Sequence, residues 1–171
     1  MLRILGIDPG SVVTGYGVIE TDGIRNFYLA HGHIKVEGES FPDKLGHIHY
    51  RINQVLDEWQ PDEAAIEQVF VSNNAMSALK LGQARGAAIA AVVSRAVPVS
   101  EYTARSVKQA VVGTGAADKK QVQTMVKTLL SLKGVVQADA ADGLAISICH
   151  AHTRMMPTST GRRSRGRFLR L

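Results

Sequence analysis

The spacing of apolar and polar residues divides the chain into ten elements. Residues 2–8 carry apolar side chains on both faces and run into Pro9-Gly10, the pattern of a buried strand closed by a turn. Residues 14–20 and 26–36 read as second and third strands. The short Gly- and Asp-rich connections between them predict an antiparallel meander. Leu45, Ile48, Ile52, Val55, Leu56 and Trp59 then recur at helical spacing, and Pro61 stops that helix. Residues 63–69 have the composition of an interior strand. A long helix is predicted over residues 74–95, capped by Asn73 or Asn74, and a short strand over 98–102. Helical segments follow at 103–112, 118–132 and 138–152, the second opened by an Asp118/Gln121 pair of the capping-box type. From Pro157 onward Ser, Thr, Gly and Arg dominate without apolar periodicity, which predicts a disordered basic tail over 157–171 behind a single domain at 1–156. Three strands followed by alternating helices and strands predict a mixed α/β sheet with helices on its faces.

Composition narrows the class. A chain of 171 residues is one domain and buries roughly two-thirds of its unfolded surface. With 45% apolar and 20% charged residues it is globular rather than disordered. The longest clean apolar run, residues 87–93, is far short of the ~20 residues that span a bilayer, and Arg3 and Asp8 interrupt the start, so neither a membrane anchor nor a signal peptide is expected. Cys149 is the single cysteine and has no partner within the chain, which points to a reducing, cytoplasmic setting.

Net charge is +5, unevenly spread. Residues 1–79 hold 5 Lys/Arg and 11 Asp/Glu; residues 80–133 hold 9 basic and 2 acidic; residues 154–171 hold six Arg and no acid. An acidic region abutting a basic one in a small domain suits a metal-dependent enzyme acting on a polyanion, although charge blocks are commonly solvated surface. Four carboxylates stand out. Asp8 ends an apolar strand, where open α/β sheets place ligands. Glu67 lies in Ala64-Ala65-Ile66-Glu67-Gln68-Val69-Phe70, a stretch suited to burial, where a carboxylate needs a salt bridge, a metal or an exposed strand end. Asp139 and Asp142 sit at i,i+3 in the first turn of a helix, on one face. Gly143 weakens that helix but permits close backbone packing. Carboxylates on separate elements at one end of a sheet suggest a divalent-metal cluster built of hard oxygen ligands. The pairs His31/His33, His47/His49 and His150/His152 read as structural or exposed.

The segments Gly6-Ile7-Asp8-Pro9-Gly10-Ser11, Thr14-Gly15-Tyr16-Gly17, Ile66-Glu67-Gln68-Val69-Phe70, Ala78-Leu79-Lys80-Leu81-Gly82-Gln83-Ala84-Arg85-Gly86, Lys108-Gln109-Ala110-Val111-Val112-Gly113 and Ala138-Asp139-Ala140-Ala141-Asp142 resemble, in order across residues 1–153, the bacterial RuvC Holliday junction resolvases. The resemblance implies an RNase H-like fold, a five-stranded mixed sheet flanked by helices. It implies a homodimeric endonuclease of recombination and repair that nicks opposing strands of a four-way DNA junction symmetrically, leaving 5′-phosphate and 3′-hydroxyl ends. Asp8, Glu67, Asp139 and Asp142 match the family's catalytic, metal-binding tetrad, served by two Mg²⁺ per site with Mn²⁺ able to substitute. Lys108 and Lys119 match basic residues lining the active-site groove, Lys119 with a catalytic role, and Lys120 is its basic neighbour toward DNA. Phe70 matches an aromatic that stacks on a junction base. The branch-migration proteins RuvA and RuvB are the implied partners.

Three other readings compete. An ATPase or sugar kinase of the actin class opens with a similar Asp-x-Gly loop but needs two domains, and this chain has room for one. A non-enzymatic DNA-binding protein explains the basic half and leaves Glu67 and the Asp139/Asp142 pair without a role. Within nucleases, a related single-domain RNase H-like enzyme is the alternative.

Overall fold

A computed structural model describes residues 1–69 and 74–155. The first three strands, β1 (Leu2–Asp8), β2 (Val13–Thr21) and β3 (Asn26–Lys35), form the expected antiparallel meander. Helix α1 (Phe41–Trp59) crosses to β4 (Glu63–Glu67), which pairs parallel to β1; α2 (Ala75–Ser94) leads to β5 (Val99–Tyr102), parallel to β4. The sheet order is β3-β2-β1-β4-β5, so β4 is interior as its composition predicts. Helices α3 (Ala104–Val112), α4 (Lys119–Leu129) and α5 (Ala138–Met155) follow. Among the described residues no helix is long and apolar enough to cross a membrane. The tail at 157–171 and Phe70 lie outside the described residues.

The caps follow the local chemistry. Asp118 accepts from the Gln121 amide at 2.8 Å while the Gln121 side chain accepts from the Asp118 amide at 2.8 Å, the anticipated capping box. Asn74 caps α2 by accepting from the Ser77 amide at 3.1 Å. Helix α1 begins earlier than its apolar spacing suggests, because Ser40 and Asp43 form a second capping box and Pro occupies the first turn. Helix α4 ends at Leu129, three residues before the expected end. There Ser131 turns left-handed (φ 52°) and the Leu132 amide bonds back to the Lys127 carbonyl at 2.9 Å, so Leu132 packs without continuing the helix. Strand β4 likewise stops at Glu67 rather than at residue 69.

Period-two alternation sends the two faces of the sheet into two apolar layers. Leu5 and Ile7 of β1 and Ala64 and Ile66 of β4 pack under α1 and α2, with Ile48, Ile52, Ala84, Ala88, Ala91 and Val92. Ile4 and Ala65 point the other way, into a layer with α3, α4 and α5. Asp8 and Glu67 inherit that second face. Helix α5 runs across it, and every residue from 140 to 151 except Asp142 is buried.

Four glycines, Gly6, Gly15, Gly17 and Gly143, allow α5 to lie directly on the strands. A Cβ at Gly15 would sit 1.9 Å from the Asp139 carbonyl oxygen, and one at Gly143 would sit 2.5 Å from the Tyr16 carbonyl carbon. The small-residue stripe of α2 takes the opposite course. A Cβ at Gly82 or Gly86 would meet nothing within 4 Å, and both glycines and Ala90 are exposed beside Met76, Leu79 and Val93. Leu81 is half-buried. The helix packs instead through Ala84, Ala88, Ala91 and Val92 on α1 and into the apolar layer over the sheet.

Candidate active site

The parallel register Ile7↔Ile66 carries Asp8 and Glu67 side by side off the carboxyl ends of the two central strands. Across the antiparallel pair Asp8 faces Gly15, the residue on which the Asp139 backbone rests. The close approach of α5 therefore sets its first turn over the end of β1. Carboxylate oxygens of Asp8, Asp139 and Asp142 all come within 4.8 Å of one another. Glu67 stands in the wall of the same cleft, about 360 Å³ in volume, with Lys108 of α3 and Lys119 of α4. All four predicted carboxylates and two of the three predicted lysines thus meet at one place. Lys120 does not: it lines a separate depression with Asp118, Gln121 and Thr124.

The electrostatics are those of acids forced together. Burial, reinforced by Asp142, Glu67 and Asp139 and opposed by Lys119, pushes the Asp8 carboxyl up to about 7. Burial first, then the Asp142 charge, raises Glu67 against the pull of Lys108 and Lys119. Asp142 is raised chiefly by burial, with Lys119 holding it down. Lys119 donates to Asp142 Oδ2 at 2.7 Å, and this bond raises its own pKa. A lysine at a helix N-terminus works against the helix dipole; here the acids across the cleft offset that cost. The donor set is entirely hard oxygen and carries more negative charge than two lysines neutralise, the chemistry that fits a divalent cation.

Two supports of the site have no signature in residue spacing. The fully buried Thr14 hydroxyl donates to the Gly10 carbonyl (3.0 Å) and accepts from the Gly10 amide (3.2 Å), clasping the loop that follows Asp8. Arg85 of α2 donates from Nε to the Glu67 carbonyl at 2.9 Å. His150 and His152 serve structure. His150 is buried between the Tyr102 hydroxyl (2.8 Å) and Glu63 (2.7 Å), and His152 contacts the Ala110 carbonyl at 3.1 Å.

A five-stranded mixed sheet with acids drawn from β1, β4 and the first turn of α5 to one edge defines an RNase H-like nuclease. The family model of the crossover junction endodeoxyribonuclease RuvC matches residues 4–150. A RuvC of Photobacterium profundum is 55% identical over 98% of this chain and 99% of its own length, and one of Geobacter sulfurreducens is 54% identical over 91% and 95%. The solved structure of T. thermophilus RuvC in complex with a Holliday junction substrate superposes with a TM-score of 0.84 at 35% identity, covering 91% of this chain and 96% of that one. The chain belongs to the RuvC crossover junction endodeoxyribonuclease family.

Proposed function

We propose that this chain resolves four-way DNA junctions by paired, symmetric hydrolytic nicks on opposing strands, in the cytoplasm, as a step of recombination and repair. The observation that carries the reading is the gathering of Asp8, Asp139 and Asp142 within 4.8 Å, with Glu67, Lys108 and Lys119 around the same cleft. Asp8, Asp139 and Asp142 hold divalent cations, two Mg²⁺ per site with Mn²⁺ as a substitute, and Glu67 completes the ligand set. Such ions supply Lewis-acid polarisation of a phosphate and a more acidic water. The chain's own groups do the rest. Lys119 and Lys108 draw the scissile phosphate into the cleft and meet the charge that grows on its oxygens. A water oxygen adds to phosphorus and the O3′ departs with a proton, leaving 5′-phosphate and 3′-hydroxyl ends.

Lys120 adds charge toward flanking phosphates, and Phe70 stacks on a base exposed at the crossover. The nuclease unit is residues 1–156, with 157–171 as a basic accessory tail. Two strands must be cut, so two sites are held at fixed separation in a two-fold dimer. Supporting this, the exposed face of α2 combines apolar Met76, Leu79 and Val93 with small Gly82, Gly86 and Ala90. RuvA and RuvB are the partners that the family resemblance implies. The deciding experiment incubates the protein with a synthetic mobile four-way junction and, separately, a linear duplex, both in Mg²⁺. Symmetric 5′-phosphate nicks in the junction alone support the reading; equal cutting of the duplex, or none of either, overturns it.

A further inference from the structure

The sequence leaves the main-chain carbonyl of Glu67 without its ladder partner. The amides of Ala64 in β4 and of Gln68 just past its end donate to the carbonyls of Pro98, just before β5, and of Tyr102, its last residue, at 2.9 and 2.8 Å. Alternate residues, Glu67 included, therefore turn their own amide and carbonyl toward β1. The parallel register Ile4↔Glu63 through Ile7↔Ile66 makes residue 9 the next donor able to reach the Glu67 carbonyl. Residue 9 is proline and has no N–H. The carbonyl accepts instead from Arg85 Nε at 2.9 Å, while Arg85 Nη2 pairs with Glu101 of β5. The arginine is 18% exposed. A planar guanidinium engaged at both edges is fixed in orientation, which a lysine ammonium would not be.

We propose that Arg85 is a positioning residue for the cleavage site: it supplies the donor that Pro9 withholds, and so fixes the Glu67 peptide and, through it, the Glu67 carboxylate in the acidic cleft. This rests on the site and function proposed above. Glu67 is the last residue of β4, so a lost bond there frees the strand end next to the chemistry. Arg85 also precedes Gly86 of the exposed α2 stripe, so the helix assigned to the subunit contact carries the residue that holds Glu67.

The test compares wild type, Arg85→Met, Glu101→Gln, and Arg85→Met combined with Pro9→Ala. Single-turnover junction cleavage in Mg²⁺, gel shift in EDTA and thermal unfolding are measured for each. Arg85→Met is expected to lower the cleavage rate constant on the order of tenfold to a hundredfold, as small displacements of a site group do, with junction affinity and Tm nearly unchanged. Glu101→Gln keeps most of the rate, because the bond to the Glu67 carbonyl survives. Adding Pro9→Ala restores an amide opposite that carbonyl and recovers part of the rate. If Arg85→Met does not fold, Arg85→Lys keeps the charge and stem, loses the two-edged geometry and is expected to be slowed likewise. Wild-type cleavage by the arginine variant, or a loss that follows Tm and is not relieved by Pro9→Ala, overturns the inference. Hydrogen exchange at the Gln68 amide, which shares its peptide with the Glu67 carbonyl, separates this inference from the function itself. It accelerates in Arg85→Met and slows again with Pro9→Ala, whether or not the wild type nicks a junction. Unchanged exchange overturns the anchoring, and an inactive wild type overturns the function alone.

Discussion

Asp8 is buried at the end of β1 and faced by Asp142, Glu67 and Asp139, so its carboxyl, ordinarily near 3.8, titrates at about 7. The folded protein therefore keeps a proton that the unfolded chain has already lost. The stabilisation from Asp8 is complete below 3.8, is lost as pH rises through about 7, and is absent above that. The metal-free protein should lose Tm across this window relative to Asp8→Asn, whose neutral amide does not titrate, and a divalent cation should restore Tm at the alkaline end. Parallel Tm profiles for the two proteins would refute the coupling. Charge removal also separates chemistry from binding. Asp8→Asn, Glu67→Gln and Asp142→Asn should each abolish cleavage in Mg²⁺ while gel shifts in EDTA show junction affinity kept or improved, since a negative charge near phosphate has gone. Near-normal cutting by any of them would exclude that residue. Lys119→Ala releases Asp142 and removes a cation from the cleft, so the single-turnover rate should fall more than binding does. An unchanged rate with weakened affinity would reduce Lys119 to an ordinary phosphate contact.

At the scale of the element, α5 reaches its site by backbone contact rather than by side-chain fit. Gly15→Ala places a methyl group 1.9 Å from the Asp139 carbonyl oxygen, a backbone clash that only a shift of α5 against β2 relieves. Overpacking of this kind typically costs ~1–3 kcal/mol. The expected result is a lower Tm with a disproportionate loss of cleavage, since the first turn carrying Asp139 and Asp142 moves. Gly82→Ala is the control: its Cβ meets nothing within 4 Å, so monomer stability should hold or rise slightly as helix propensity improves. A cleavage defect in Gly15→Ala no larger than its loss of stability predicts would argue against α5 placement as the cause.

At the scale of the whole molecule, the described residues gather one cluster of four carboxylates, whereas a resolved junction carries two cuts. Sedimentation should give a dimer, and Leu79→Glu on the exposed face of α2 should shift it toward monomer. In mixed dimers with one Asp8→Asn subunit, a single binding event should nick one strand and leave its counterpart intact. A stable monomer that resolves junctions at full rate would sink the dimer model.

Much of this was legible in the chain. Period-two and period-3.6 patterning located the ten elements of the described residues, because burial of one face leaves its spacing in the residues themselves. Asp8 at a strand end, Glu67 in an apolar strand and the Asp139/Asp142 pair marked themselves as acids in places that resist charge. Cap chemistry is local too, so Asp118 and Gln121 announced the start of α4. What only the tertiary structure decided depends on contacts between residues far apart in the chain. The register of β4 on β1, which sets Glu67 beside Asp8, is one such contact. The seating of α5 on Gly15 is another, and so is the partition of Lys119 into the cleft and Lys120 out of it. The early end of α4 depends on a reversal of the backbone at Ser131 that no periodicity encodes. Arg85 shows the limit most clearly. The absence of an amide at Pro9 is written in the sequence, but the helix that fills the gap lies 76 positions away, and only packing brings it there.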